Sequence, residues 1–297
     1  MFNPIVFGIF TLIARSCVAT PIDPASANQH LQARDGGKPL WSEGGPKVED
    51  IKQDGFKDDW FLAGLASLAN AQGSSKIQDI FKLDQRGIDN IDKASITLFN
   101  IDKWDKAEKT GEEYKGDSQD VKYADITSKY SGANDNWWVA ALEYAAMKIG
   151  GSDDIKSVSF KNDGGPITAW SMITGIKSKE YKIDRTGDSW KSELWRVLKS
   201  APESYVCIKS VSHPNEKMRS IITGVTWYAV LSVQGSQYDD HGQIVGENGG
   251  DGQVTLFDAR AGSNITVSFV DLQDQVGWQV TPEKLDYPAS PPQPPKA

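Results

Sequence analysis

Two tryptophan-led apolar segments, Trp60 to Asn70 and Trp137 to Ile149, dictate helices in the first half of this chain, and short β-rich runs dictate sheet in the second. The first segment follows Asp58 and Asp59, acids suited to the first turn of a buried helix. The second is opened by Asn134 and Asp135 and stopped by Gly150-Gly151. From about Ser204 the pattern changes. Tyr205 to Ile208, Trp227 to Val233, Gln253 to Phe257 and Asn264 to Phe269 read as strands between Gly, Asn and Asp clusters. An α+β fold of two lobes with a cleft between them follows: a helical lobe over about 47–165 and a β-rich lobe over about 166–283. No internal repeat recurs at a fixed period.

The flanks carry different information. The apolar run Ile5 to Ala14, with small Cys17 and Ala19 ahead of Thr20-Pro21, predicts a secretory leader over 1–19, although no Lys or Arg precedes the run. Residues 20–46 are rich in Pro, Ala, Ser, Gln and Gly and are expected to be a mobile lead-in or pro-segment. Residues 284–297 form a Pro-rich tail suited to extended conformation. The leader makes the cysteine arithmetic simple: Cys17 leaves with it, Cys207 remains, and no intrachain disulfide is possible. A secreted chain of this kind is held by its core alone. Asn264-Ile265-Thr266 is a glycosylation sequon, which places Asn264 on the surface if it is used.

Charge excludes some partners. The 32 Lys and Arg against 40 Asp and Glu give a net charge of -8, so no chain-wide basic field draws in nucleic acid. No apolar run reaches the roughly 18 residues of a membrane span. The expected partner is a polypeptide.

The segment Gln53-Asp54-Gly55-Phe56-Lys57-Asp58-Asp59-Trp60 resembles the active-site signature of calpains, Gln-Gly-x-x-Gly-Asp-Cys-Trp. Trp137-Trp138-Val139-Ala140-Ala141-Leu142-Glu143 is similar to the family helix Phe-Trp-Ser-Ala-Leu-Leu-Glu, and Val206-Cys207-Ile208 falls where calpains have Gly-Cys-Ser. Val267 to Leu272 and Val280 to Glu283 resemble the end of the second catalytic lobe. The resemblance implies a papain-like, two-lobed calpain-type core and a calcium-dependent cysteine endopeptidase. It also implies roles residue by residue. Asp59 stands at the nucleophilic cysteine, Thr226 (or, without an inserted residue, Val225) at the general-base histidine, and Asp258 at the orienting asparagine. Gln53 stands at the oxyanion-hole glutamine, with Trp60 and Asp58 expected along the cleft.

All three catalytic identities are therefore changed. A papain-type thiolate is stabilised by a helix N-terminus and a neighbouring imidazolium, and the imidazole returns its proton to the leaving amine. A carboxylate at position 59 suits a helix N-terminus and could cap it, but attacks amides poorly, and a threonine moves no protons near neutral pH. Cys207 reads as an apolar filler, and His213 and His241 read as loop residues. Asp50 and Asn136 match a calcium site with one acid lost, and the acidic loop of the second lobe is shortened, so calcium binding is expected to be weak or absent and no other cofactor is expected. The leading expectation is a secreted pseudoprotease with a peptide-binding, decoy or effector role. The alternatives are an active endopeptidase or acid hydrolase using rearranged residues such as Asp59 with Asp258, and an unrelated secreted binding module.

Overall fold

Helix α1 (Asp59–Asn70) is apolar on every side, so a stable fold has to enclose it, and Trp60 through Leu68 are all buried. In the computed structural model, which describes residues 38–71, 74–83, 91–132, 136–176, 178–186, 190–235 and 252–282, α1 lies between a second helix and a sheet. Gly64 is what lets the helix of Pro166–Thr174 come close: a Cβ there would meet the Ala169 Cβ at 2.9 Å. The approach brings the Trp170 indole N–H within hydrogen-bond reach of the Gly64 carbonyl (3.0 Å) and the Ser67 hydroxyl (2.9 Å).

After α1 come α2 (Ser74–Asp79), β1 (Phe81–Lys82), β2 (Lys93–Leu98), α3 (Ile101–Thr110), β3 (Asp117–Lys122) and α4 (Trp138–Ile149). Strands β1, β2 and β3 form an antiparallel sheet, with Ala94, Ile96 and Leu98 of β2 turned inward. The helical lobe thus contains a sheet that its sequence conceals. Only Val121 of β3 is buried, so that strand has almost no apolar alternation to read.

A short hairpin, β4 (Ile155–Lys156) and β5 (Ser159–Phe160), leads to α5 (Pro166–Thr174). The remaining elements are β6 (Ser178–Lys182), α6 (Trp190–Lys199), β7 (Cys207–Ser210), β8 (Trp227–Gln234), β9 (Gln253–Asp258), β10 (Ser263–Ser268), α7 (Phe269–Gln273) and β11 (Val276–Pro282). Six strands pair antiparallel in the order β10-β9-β8-β7-β11-β6. The alternation of side chains gives this sheet a core on each face. Cys207, Trp227, Ala229, Leu231 and Phe257 face the core built on α1, α4 and α5, whereas Ile208, Tyr228, Val230, Val254 and Leu256 face α6 and α7. Burying both faces makes the sheet the wall that the two lobes share.

Two expected boundaries are corrected. The lead-in was expected to run to residue 46, but Leu40 and Trp41 are buried in the first core, and Trp41 packs edge-on against Phe81 at 5.3 Å. The carbonyls of Pro39 and Leu40 accept from the N–H groups of Trp137 and Trp138, at 3.4 and 3.0 Å, which supplies partners at the start of α4. The expected openers Asn134 and Asp135 lie outside the described residues. Helix α5, expected in the β-rich lobe that was to begin near 166, belongs by its buried Ala169, Trp170, Met172 and Ile173 to the first core. The leader, the tail from 284 and His241 also lie outside the described residues.

Candidate active site

The first residue of α1 reaches out of its own lobe. Asp59 Oδ2 accepts the backbone N–H of Trp227, at the start of β8, over 3.1 Å. No side chain caps this helix. The Asp58 backbone carbonyl accepts from Phe61 and Leu62 N–H, while neither carboxylate bonds back to the first turn. A carboxylate at position 59 could have capped the helix; it bridges the lobes instead, because Trp227 N–H is a buried donor needing an acceptor.

Around this bridge is a cavity of about 340 Å³ lined by Gln53, Lys57, Asp59, Asn162, Gly224, Val225, Thr226 and Arg260. The fold therefore brings Gln53, Asp59 and Thr226 to one cleft. Asp258 stands just behind it, with its carboxylate turned into its own hairpin: Oδ1 accepts from Arg260 N–H at 2.9 Å and Ala261 N–H at 3.4 Å, and Oδ2 faces the Arg260 guanidinium at 3.4 Å. It is engaged at home rather than paired with Asp59. Burial raises the Asp59 pKa above its ordinary value; the Trp227 N–H and the charges of Arg260 and Lys209 oppose the rise, and Asp258 adds to it.

Thr226 is buried, with its hydroxyl directed at the Gly224 carbonyl at 3.4 Å and its backbone bonded to Ser210. Val225, the alternative at this position, projects into solvent and takes a left-handed φ of 55°, an unusual state for a β-branched residue. Gln53 is fixed at both ends: its backbone N–H donates to the Ala259 carbonyl at 2.8 Å, and its side-chain amide donates to Asp58 Oδ1 at 3.1 Å. An amide nitrogen has two hydrogens, so one remains for the cavity.

Trp60 and Asp58, expected along the cleft, are both completely buried. Trp60 lies against Gly164, where an added Cβ would overlap its ring, and its indole N–H donates to the Lys161 carbonyl at 2.7 Å. It belongs to the core beneath the cleft. Asp58 points down to Glu143 of α4, itself completely buried. Glu143 Oε2 accepts from Ser131 N–H at 2.7 Å, while Glu143 Oε1 and Asp58 Oδ2 are buried with no hydrogen-bond partner among the described residues. Burial and mutual repulsion disfavour ionising both carboxyls together. Burial raises Asp58 above its ordinary value; for Glu143, burial and then the neighbouring Asp58 push it well above.

Sequence reasoning did not place Glu143, Lys57, Asn162 or Arg260 at the site. Glu143 was legible in principle, as the one acid within the apolar run Trp137 to Met147. The other three lie on loops whose convergence only the fold reveals.

No thiol or imidazole joins Asp59 among the described residues. Cys207 is buried behind α1 with its sulfur 3.4 Å from the Ala63 carbonyl, and burial pushes its thiol far above the ordinary range. His213 is an exposed loop residue whose Nδ1 pairs with the Ser212 hydroxyl at 2.9 Å. Asn264 is exposed on β10, at an edge of the large sheet.

The calcium position implied by the resemblance does not fit a cation. Asp50 Oδ1 accepts from the Asn136 side-chain amide at 2.6 Å, and Oδ2 accepts from the Trp138 indole N–H at 2.8 Å and from Lys47 N–H at 3.1 Å. Both oxygens are occupied by N–H donors, which repel a cation, and a hard divalent ion needs several free oxygens. Among the described residues no three acidic, histidine or cysteine side chains come together.

Comparison with known proteins agrees with this geometry. No curated protein matches the sequence. The model of the calpain family cysteine proteases matches residues 31–245, a span that takes in Gln53, Asp59 and Thr226, begins ahead of the buried Leu40-Trp41 pair and stops short of Asp258. With nearly three quarters of its length matched and a cleft at the N-terminus of the buried helix, the protein belongs to the calpain family of cysteine proteases.

Proposed function

We propose that this member of the family is a secreted pseudoprotease that binds polypeptide in its cleft without cutting it. The observation that carries the reading is the Asp59–Trp227 hydrogen bond. A carboxylate stands at the nucleophile's position and is bonded into the scaffold, and no imidazole lines the cavity among the described residues. Peptide-bond cleavage needs a nucleophile and a group to protonate the leaving amine, and neither Asp59 nor buried Thr226 supplies the pair. Rearranged acid catalysis is disfavoured because Asp258 spends its carboxylate on the hairpin of Arg260. Secretion rests on the leader predicted over 1–19; no described helix is long and apolar enough to cross a membrane.

The test is digestion of casein and of a mixed peptide library by the full chain, with and without calcium. No cleavage above that of an Asp59→Ala control is expected. Cleavage lost in the control would overturn the reading. Secretion predicts that protein recovered from the culture medium starts at Thr20.

A further inference from the structure

The register of the large sheet aligns four residues in a single row. Lys182 of β6 sits opposite Trp278 of β11, Trp278 opposite Lys209 of β7, and Lys209 opposite Trp227 of β8. Residues directly opposite in an antiparallel sheet share a face, and Trp227 shows which: it is buried against the first lobe, its indole N–H bonded to the Gly164 carbonyl at 3.1 Å. The row leaves this cover as it runs outward. Lys209 is half-buried, Trp278 is 37% exposed and Lys182 is exposed. The Lys209 ammonium stands 5.4 Å from the centre of the Trp227 ring and that of Lys182 5.9 Å from the centre of Trp278. Such contacts hold an ammonium over a ring face while leaving N–H donors for an anion.

The inner end of the row adjoins the cleft: the residue whose ring lies under Lys209 gives its backbone N–H to Asp59, and the Lys209 charge acts on Asp59. Lys57 and Arg260 line the cavity at that end. Strands about 4.8 Å apart make the row roughly 14 Å long, the span of about four extended residues. The acids facing these cations are Asp59, Asp258 and Glu180. Asp258 is committed to Arg260, and burial makes both Asp59 and Glu180 harder to ionise. In a chain whose net charge is -8, this strip gathers the cations Lys57, Lys182, Lys209 and Arg260.

We propose that the cleft continues along Lys209, Trp278 and Lys182, and that its ligand is an extended polypeptide bearing acidic side chains, with an apolar group over Trp278. This rests on the reading of the cleft as a peptide-binding groove. It adds the sign of the ligand's charge and the direction in which the ligand leaves the cleft.

Fluorescence anisotropy with the full chain and three labelled short peptides, alternating Glu-Ala, Gln-Ala or Lys-Ala, separates the two readings. The Glu-Ala peptide should bind about tenfold more tightly than the Gln-Ala peptide, and more weakly as salt is raised. Lys182→Gln and Lys209→Gln should each weaken Glu-Ala binding roughly two- to fivefold, and Lys182→Gln, at an exposed position, should leave the thermal midpoint unchanged. Trp278→Ala should weaken both the Glu-Ala and Gln-Ala peptides. Equal binding of Glu-Ala and Gln-Ala, preference for Lys-Ala, or Glu-Ala binding untouched by the lysine variants would overturn the acidic strip and leave the groove standing. Absence of binding by all three would overturn the groove reading as well.

Discussion

Asp59, the first residue of the buried helix, accepts the backbone N–H of Trp227 at 3.1 Å and so ties the two lobes together at the point where a peptidase of this family would open the peptide bond. The same boundary is crossed by the Trp227 indole to the Gly164 carbonyl, the Asn70 amide to the Leu231 carbonyl at 2.8 Å and the Gln53 N–H to the Ala259 carbonyl. The carboxylate at position 59 serves there as a structural acceptor at the interface between the lobes.

That role can be separated from charge. Asp59→Ala leaves the Trp227 N–H without an acceptor and should cost about 1–3 kcal/mol in urea unfolding. Asp59→Asn keeps an acceptor and removes a buried charge. The folded pKa of Asp59 is raised, so its contribution is fully present below the ordinary carboxyl range and is lost as pH rises through the folded value. The Asn variant should therefore equal or exceed the parent in stability at neutral pH, with the advantage disappearing in acid. A loss as large as that of the Ala variant would refute the acceptor argument.

The Asp58–Glu143 pair predicts a second pH dependence. Both carboxyls are raised in the folded protein by burial and, for Glu143, by its neighbour. In the unfolded chain each ionises in the ordinary range, so stability is full below that range and declines as pH rises toward the raised values. Glu143→Gln supplies a permanent donor toward Asp58 Oδ2 while its amide oxygen still accepts from Ser131. Urea midpoints measured between about pH 5 and about pH 8 should fall for the parent and be flatter for Glu143→Gln, which should be the more stable of the two at the upper end. A parent curve as flat as the variant's would show that the two carboxyls are not raised in the folded protein.

How much of this was legible in the sequence depends on how far each feature acts from its own segment. Helices α1 and α4 were readable because an unbroken apolar segment led by tryptophan has one stable fate, and strands β7 to β10 because short β-branched runs sit between turn residues. Strands β2 and β3 were not, since β3 offers a single buried apolar residue, Val121, and their pairing is non-local. Gln53, Asp59 and Thr226 could be assigned to one cleft from the order of motifs. The fates of Asp58 and Trp60 could not, because adjacent residues on a helix start point in different directions and only the packing of α4 and Gly164 decides which side is solvent. Lys209 and Trp278 come together through strand register, which no local pattern encodes.

Cation independence follows from Asp50. Its two oxygens already hold the Asn136 amide, the Trp138 indole N–H and the Lys47 N–H, so millimolar calcium or EDTA should leave the thermal midpoint of the parent unchanged. Asn136→Glu replaces a donor by a second carboxylate. It should lower the midpoint without metal through repulsion from Asp50, and added calcium should raise it again, as binding to the folded state alone must. A calcium-dependent midpoint in the parent would contradict the closed site.

Val225 offers a test of strain at the cleft rim. Its φ of 55° is the only positive value at a non-glycine among the described residues, and its side chain is 56% exposed. A left-handed β-branched residue carries roughly 1–3 kcal/mol of strain, while glycine takes the same conformation freely and loses about 0.5–1 kcal/mol more backbone entropy on folding than alanine would. With little side-chain burial to forfeit, Val225→Gly should stabilise the protein by about 1 kcal/mol in urea unfolding. Val225→Ala, which keeps a Cβ, should recover less. If strain holds the rim in shape for a ligand, the glycine variant should also bind peptide more weakly despite its greater stability, since a rim free to move loses entropy when it closes on the chain. A destabilised glycine variant would show that the left-handed turn at Val225 is not strained.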